Sequence, residues 1–341
     1  GYIYGIGGTG QLQQVAPNGT VTNLGTAASG VSYFNGLGIG PQGQPVYAIE
    51  RSSDSGTSQN ATVWVYDTTT GTWQSTGYST SALGGNTGTN MIGGAVDLST
   101  GLYYFGGFTS NGNFKVYEYN PSANPRIKLK ATVTTTATSN ANGDIAFDRA
   151  GNFYIVRGDG NNSVVYSVPQ ATFQGASGGT ITSAATQSFS TASDVNGVAF
   201  DSTGKAFLGS NSSVRSYNLP NWTGSTSVTT GLSNSTDLAS CSSPPTIVIE
   251  KEIIGGRVKT GDQFKLTLHQ GNTLIGDATT SGNTTGLQGQ RVGPTPTVRG
   301  VELKFAEVAA GTTNLANYAS AYQCTLTYAD GTVENLQQVN G

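Results

Sequence analysis

One short unit recurs along most of this chain, and that recurrence limits the fold more than any other feature. Four segments align: Asn35-GLGIGPQGQPVYAI, Met91-IGGAVDLSTGLYYFGG, Asn142-GDIAFDRAGNFYIV and Asn196-GVAFDSTGKAFLG. Each reads as an apolar strand, a turn and an aromatic strand. The turns carry Asp97, Asp148 and Asp201, with Pro41 in the first copy, and Gly43, Gly101, Gly151 and Gly204 close them. Turn chemistry explains the pattern: Asp accepts hydrogen bonds from the backbone just ahead, and Gly adopts positive φ without strain. A fifth, degenerate copy, Asn234-STDLASC, ends at Cys241.

A third strand follows each hairpin, in Leu12-QQVAP, Val63-WVYD, Val116-YEYNP, Val165-YSVP and Val214-RSYNLP. These alternate apolar and polar residues, as half-buried strands do. A variable, Thr-rich fourth segment comes next, for example Thr72-WQSTG or Lys130-ATVTTT. The repeat of roughly 40–57 residues fits the blades of a β-propeller and no helical solenoid. No segment sustains a 3.6-residue period, so almost no helix is expected. The phase at the two ends is informative. Tyr2-IYGIG matches the second strand of a blade but lacks a first, and Asp237-LASC is a first strand without a second. Joining them would close a ring of five blades and remove exposed sheet edges. The expectation is a five-bladed propeller over residues 1–243.

Pro244-Pro245 is a stiff break, after which Thr246-IVIEKEIIGGRV opens a different texture. Strands are expected at 247–253, 263–268, 301–308 and 322–328, separated by Gly-, Thr- and Asn-rich turns. Short strands over residues 244–341 predict an immunoglobulin-like β-sandwich. The stretches Lys251-EIIGGRVKTGDQFKLTL, Asp277-ATTSGNTTG and Glu307-VAAGTTNLANYASAYQC resemble the prealbumin-like repeat of bacterial surface proteins, a group that includes pilin and collagen-adhesin B-type domains. The repeats before it resemble, by pattern, the N-terminal repeat region of similar surface proteins. The resemblance implies export and surface display, with no ligand specified. It also implies a final strand bearing a second Cys and an Asn. That strand is not evident before Asn340-Gly341, so the sandwich is expected to lack its last strand or to receive one by donation.

Related pilin-type domains hold a Lys–Asn isopeptide bond assisted by a buried acid. The chemistry needs a desolvated lysine beside an amide polarised by a protonated carboxyl. Lys251, Glu307 and Asn340 are the positions here that match, with an ordinary surface Lys and strand Glu as the competing reading. His269, the sole histidine, lacks a G-x-S-x-G partner motif and is placed at a turn after its strand. Arg157-Gly158-Asp159 spells an integrin-binding tripeptide, which a simple turn explains equally well. Asp97, Asp148 and Asp201 could suggest a glycosidase cluster, yet their recurrence at one turn position favours structure. Metal sites needing several His or Cys are excluded by count. Calcium is the one ion left open, through loop clusters such as Asp159-GNN and Asp54-SG, neither of which completes an EF-type loop. No cofactor is expected otherwise.

Composition supports an extracellular reading. Only 10% of residues are charged, against about 25% in typical soluble domains. Recurrent Tyr and Phe argue against disorder. A net charge of −3 with no Lys/Arg cluster gives no footprint for nucleic acid, and no apolar run approaches the ~20 residues of a membrane-spanning helix. Gly1 opens inside a strand-like segment, so any export leader is expected to be gone. Cys241 and Cys324 are expected to stay unbonded to each other, since they fall in different domains. The expected function is a non-catalytic cell-surface adhesin or display module that binds glycan or protein through propeller loops. The alternatives are a homopolymeric fibre or pilus subunit assembled by strand addition, and a propeller hydrolase.

Overall fold

The computed structural model describes residues 1–191, 194–328 and 332–336. The chain divides into two units. One comprises Gly1–Thr246 with Pro296–Arg299, the other Ile247–Thr295 with Gly300–Gly341.

The first unit contains five sheets, one for each repeat, four of them wholly antiparallel. Four of them run in simple chain order: Phe34–Ile39, Val46–Arg51, Ala61–Asp67 and Thr72–Ser79; Gly93–Val96, Tyr103–Phe108, Phe114–Tyr119 and Ile127–Thr134; Asn142–Phe147, Phe153–Asp159, Asn162–Val168 and Ala184–Ser190; Gly197–Phe200, Lys205–Gly209, Val214–Asn218 and Thr223–Thr229. The fifth joins the chain's ends. Ser235–Ala239 pairs antiparallel with Ile3–Gly7, placing Tyr4 opposite Ala239 and Ile6 opposite Asp237, and Leu12–Val15 and Val21–Leu24 complete the sheet. The phase mismatch at the two ends therefore resolves as a pairing between them.

The second strands explain why the aromatics recur. Tyr103–Phe108 is buried at every position, which happens only when a strand is covered on both faces. Successive side chains point to opposite faces. Tyr103 and Phe105 pack with Tyr47, Ile49 and Val63 of the preceding sheet, whereas Tyr104 and Phe108 pack with Phe147, Phe153 and Ile155 of the next. A third cluster joins Tyr154 and Val156 to Phe200, Leu208 and Trp222. A fourth joins Ala199 and Phe207 to Ile3, Val15 and Leu238. A fifth joins Ile6, Leu12 and Ala239 to Phe34, Leu37 and Trp73. Each cluster is shared by two sheets. The first strands also touch one another: Phe34–Ile39 contacts Gly93–Val96 and Ser235–Ala239, Asn142–Phe147 contacts Gly93–Val96 and Gly197–Phe200, and the last contacts Ser235–Ala239.

Two departures from the expected repeat occur between 169 and 190. Gln170–Gly175 forms a short helix that buries Phe173. Thr180–Thr182 then adds in parallel to the edge of Ile127–Thr134, giving that sheet a fifth strand. Pro169 starts the helix, since its fixed φ suits a helix entry and its missing N–H costs nothing there.

In the second unit, Thr246–Ile253 pairs with Gly286–Pro296, and Gln263–Gln270 lies between Thr273–Thr279 and Lys304–Ala310. These two sheets share one small core of Leu266, Leu268, Ile275 and Val292, flanked by Ile247 and Ile249. Thr273–Thr279 and Gly286–Pro296 are strands that periodicity did not mark. The strand expected at 322–328 shrinks to Thr325–Thr327, paired with Val333–Asn335, and the one expected at 301–308 starts later, at Lys304. No helix among the described residues is long and apolar enough to cross a membrane.

Candidate functional site

One edge strand from each of the five sheets borders a narrow space. Gly38 and Ile39, Gly94 to Val96, Ile145 to Phe147, Val198 to Phe200 and Leu238 to Ser240 all border it. Its walls carry small and apolar side chains together with the hydroxyls of Ser240 and Ser242. Just beyond lies a carboxyl pair, Asp144 and Asp237, both 0% exposed. Asp144 Oδ1 accepts from the Ile145 amide at 2.7 Å, and its Oδ2 accepts from Val198 N of the adjacent sheet at 2.7 Å. Asp237 Oδ1 accepts from Leu238 N at 2.8 Å. The two carboxyl groups also hydrogen-bond to each other. Asp237 Oδ2 receives no N–H or O–H donor, and two carboxyl oxygens share a hydrogen bond only when one of them carries a proton. Burial pushes Asp144 up to about 8, against which its backbone donors work. Burial, together with the neighbouring Asp144, pushes Asp237 well above the usual carboxylate range. Glycines make room for the pair: a β-carbon on Gly93 would come within 2.7 Å of Asp144 Oδ1, and one on Gly197 would overlap the Leu238 amide. The pair was not singled out from sequence. The available signal was an Asp in the middle of an otherwise apolar strand, in Gly-Asp-Ile-Ala-Phe and Thr-Asp-Leu-Ala.

The turn aspartates behave as their position implies. Asp97 Oδ1 accepts from Ser99 N and Oγ at 2.9 and 2.7 Å. Asp148 accepts from Asn152 N and Nδ2 and from the Tyr154 hydroxyl. Asp201 Oδ1 accepts from Thr203 N and Lys205 N, each at 2.9 Å. Asp148 and Asp201 are engaged within their own turns, Asp97 Oδ2 also accepts from Gln174 Nε2 at 2.8 Å, and the three sit in separate turns. Arg157-Gly158-Asp159 lies within the strand Phe153–Asp159, not after it. Arg157 is only 11% exposed, donates to Ser139 and sits over the Phe108 ring, so the tripeptide is not presented as a loop. His269 likewise belongs to a strand, opposite Leu274 and Lys304, because Gln263–Gln270 continues past the expected turn. Among the described residues no three His, Cys, Asp or Glu side chains converge on a metal-sized site.

In the second unit, Lys251 Nζ lies 2.6 Å from Glu307 Oε2, each side chain 20% exposed. The ammonium also sits 4.7 Å from the centre of the Phe264 ring. Lys251 and Glu307 come from different sheets, so the ion pair spans the small core. Nearby, Gly261-Asp262-Gln263-Phe264 forms a corner. The Tyr318 hydroxyl donates to Asp262 Oδ2 and accepts from Val258 N, which holds the Asp262 carboxyl below its usual range. Thr280 Oγ1 accepts from Phe264 N at 2.9 Å and donates to Gln263 Oε1 at 2.6 Å.

That corner is where a family match falls. Residues 246–339 match the model of a family described as "Prealbumin-like fold domain". The chain carries a prealbumin-like domain. No curated protein matches the chain. Among solved structures, a functionally unknown protein from Desulfotomaculum acetoxidans DSM 771 aligns at 13% identity and TM-score 0.39, over 71% of this chain and 85% of that one. Saccharomyces cerevisiae Sqt1 aligns at 12% identity and TM-score 0.33, over 85% of this chain and 67% of that one. At those TM-scores neither likeness carries weight for fold or function.

Within the prealbumin-like domain the quoted motif residues thus shape a corner and its hydrogen bonds. The structure brings together two of the three isopeptide positions, Lys251 and Glu307, while Asn340 lies outside the described residues. Cys241 and Cys324 are both free thiols. Alkylation of the denatured, unreduced chain is expected to add two labels by intact mass. Addition of none, with a Cys241–Cys324 peptide on mapping, would refute this.

Proposed function

We propose that this chain is a non-catalytic module displayed outside the cell, in which a five-bladed β-propeller is carried next to a prealbumin-like β-sandwich. The match of residues 246–339 to a prealbumin-like domain carries the display reading, since such domains suit surface and pilus-related structural roles. The propeller rests on interfaces. A row of five sheets has four interfaces, whereas five apolar clusters, each shared by two sheets and returning to the first, support a ring. Loops rich in Asn, Ser and Thr, with exposed Tyr33, and the exposed Tyr78 on the strand Thr72–Ser79 suit contact with a glycan or protein. The buried carboxylates serve turns or the centre, which favours binding over hydrolysis. The reading is tested by probing the purified chain on a glycan array and a panel of extracellular proteins beside a glycosidase and lactonase panel. Binding without turnover is expected. Turnover would replace this reading with a propeller hydrolase.

A second reading, a fibre subunit, has one observation in its favour. Lys304–Ala310 is the outer strand of its sheet, and it leaves Phe305 40% and Val308 42% exposed. Outer strands accept another chain by strand addition. Negative-stain imaging of native material distinguishes filaments from single particles.

A further inference from the structure

The Asp144–Asp237 pair closes more than a hydrogen bond. Asp237 lies on Ser235–Ala239, the one strand through which the chain's last repeat meets its first residues. Asp144 lies on Asn142–Phe147 in another sheet, and it also accepts from the amides of Gly94 and Val198, in the two sheets on either side of its own. Asp237 accepts in turn from Leu37. Two carboxyl groups therefore reach the first strands of all five sheets. Among the described residues no cation contributes to lowering either carboxyl. Apart from this pair, the strands Phe34–Ile39, Gly93–Val96, Asn142–Phe147, Gly197–Phe200 and Ser235–Ala239 carry no titratable side chain. The one other titratable group coupled to the pair is Tyr103, whose hydroxyl donates to the Gly36 carbonyl and is itself pushed far up by burial. Two unpaired carboxylates in a dry interior repel strongly and lose hydration, so the proton between them is structural.

We propose that the Asp144–Asp237 pair is a proton-held clasp, which keeps the terminal strand Ser235–Ala239 seated and loosens when alkaline pH removes the shared proton. Both native carboxyls bind protons more tightly than in the unfolded chain. From 3.8 upward, to about 8 for Asp144 and with Asp237 also well above the usual carboxylate range, the native state thus holds more protons, so stability declines as pH rises. Asp148, also raised by burial, adds to the slope from its own turn.

The test uses the full chain. Trp64, Trp73 and Trp222, the only tryptophans, all lie in the first unit and report its unfolding. The fluorescence-detected Tm is expected to fall by roughly 5–10 °C between pH 5 and pH 9. In Asp237→Asn an amide donates to Asp144 without needing a proton, so most of that fall should vanish. Hydrogen exchange of the unmodified chain, corrected for intrinsic rates, gives a second reading that does not depend on the variant folding. Protection of Ile3–Gly7 and Ser235–Ala239 should drop at pH 9 while Val46–Arg51 keeps its own. A flat Tm across the range, an equal fall in Asp237→Asn, or uniform loss of protection would overturn the proposal.

Discussion

Deleting Gly1–Gly7 is expected to abolish cooperative unfolding of the first unit, although chain termini usually tolerate truncation. The seven residues include Ile3 and Ile6, at 3% and 0% exposure. Ile6 packs with Leu12, Phe34 and Trp73, and Ile3 with Val15, Phe207 and Leu238, so their loss opens two of the five shared clusters. Two fully buried isoleucines are worth about 2–5 kcal/mol each, a sum comparable to the whole stability of a typical domain at about 5–15 kcal/mol. Ser235–Ala239 would also lose its ladder partner, leaving backbone groups unpaired in a buried position. Thermal scans by tryptophan fluorescence and far-UV circular dichroism check this. A truncated chain that melts near the parent's midpoint would mean the two ends contribute little to one another.

Phe153→Ala is expected to lower the same midpoint by roughly 10–15 °C. Phe153 is fully buried and stacks on Phe173 with centroids 4.7 Å apart and planes 19° from parallel. It also meets Phe147 at 5.3 Å and Phe114 at 6.5 Å. Truncation leaves a cavity walled by rings from two sheets and the short helix, which backbone strands cannot collapse to fill. The cost should be about 3–5 kcal/mol. Phe153→Leu, which keeps most of the volume, should recover more than half of it. Equal losses for both substitutions would point to a specific need for the ring stack and not to packing volume.

What could be foreseen in this chain divides along physical lines. The turn aspartates were legible because a local rule acts on them: Asp97 and Asp201 accept from the backbone two residues ahead. The pairing of the termini was legible because a repeat out of phase at both ends has one economical completion. Thr273–Thr279 and Gly286–Pro296 were hidden because Thr, Gly and Gln blur the alternation that marks a half-buried strand. His269 was misplaced because its strand runs on to Gln270, past the expected end at 268, and Gly271-Asn272 alone make the turn. The short helix at Gln170–Gly175 lies below the length at which a helical period can be detected. Asp144 and Asp237 are 93 positions apart in numbering, and only the tertiary fold brings their carboxyls together.

The outer strands have a consequence of a different kind. Val21–Leu24, Thr72–Ser79, Ala184–Ser190 and Thr223–Thr229 are mostly exposed and made largely of Thr, Ser, Gly and Ala or Asn. Their backbones pair on one side, and each sends an apolar side chain into a shared cluster, through Val21 and Leu24, Trp73, Phe189 and Val228, while the remaining positions are largely polar or small. Mutation of their exposed polar positions changes the surface that a passing molecule meets without disturbing the clusters between sheets, whereas mutation of Trp73 would disturb one of them. In a population of such chains, variation should therefore accumulate as a gradient, steepest at the perimeter and nearly silent where Gly93, Gly197 and the carboxyl pair interlock. Exposed positions of the outer strands would then drift while the strands that carry Gly93, Gly197 and the two carboxyls scarcely change.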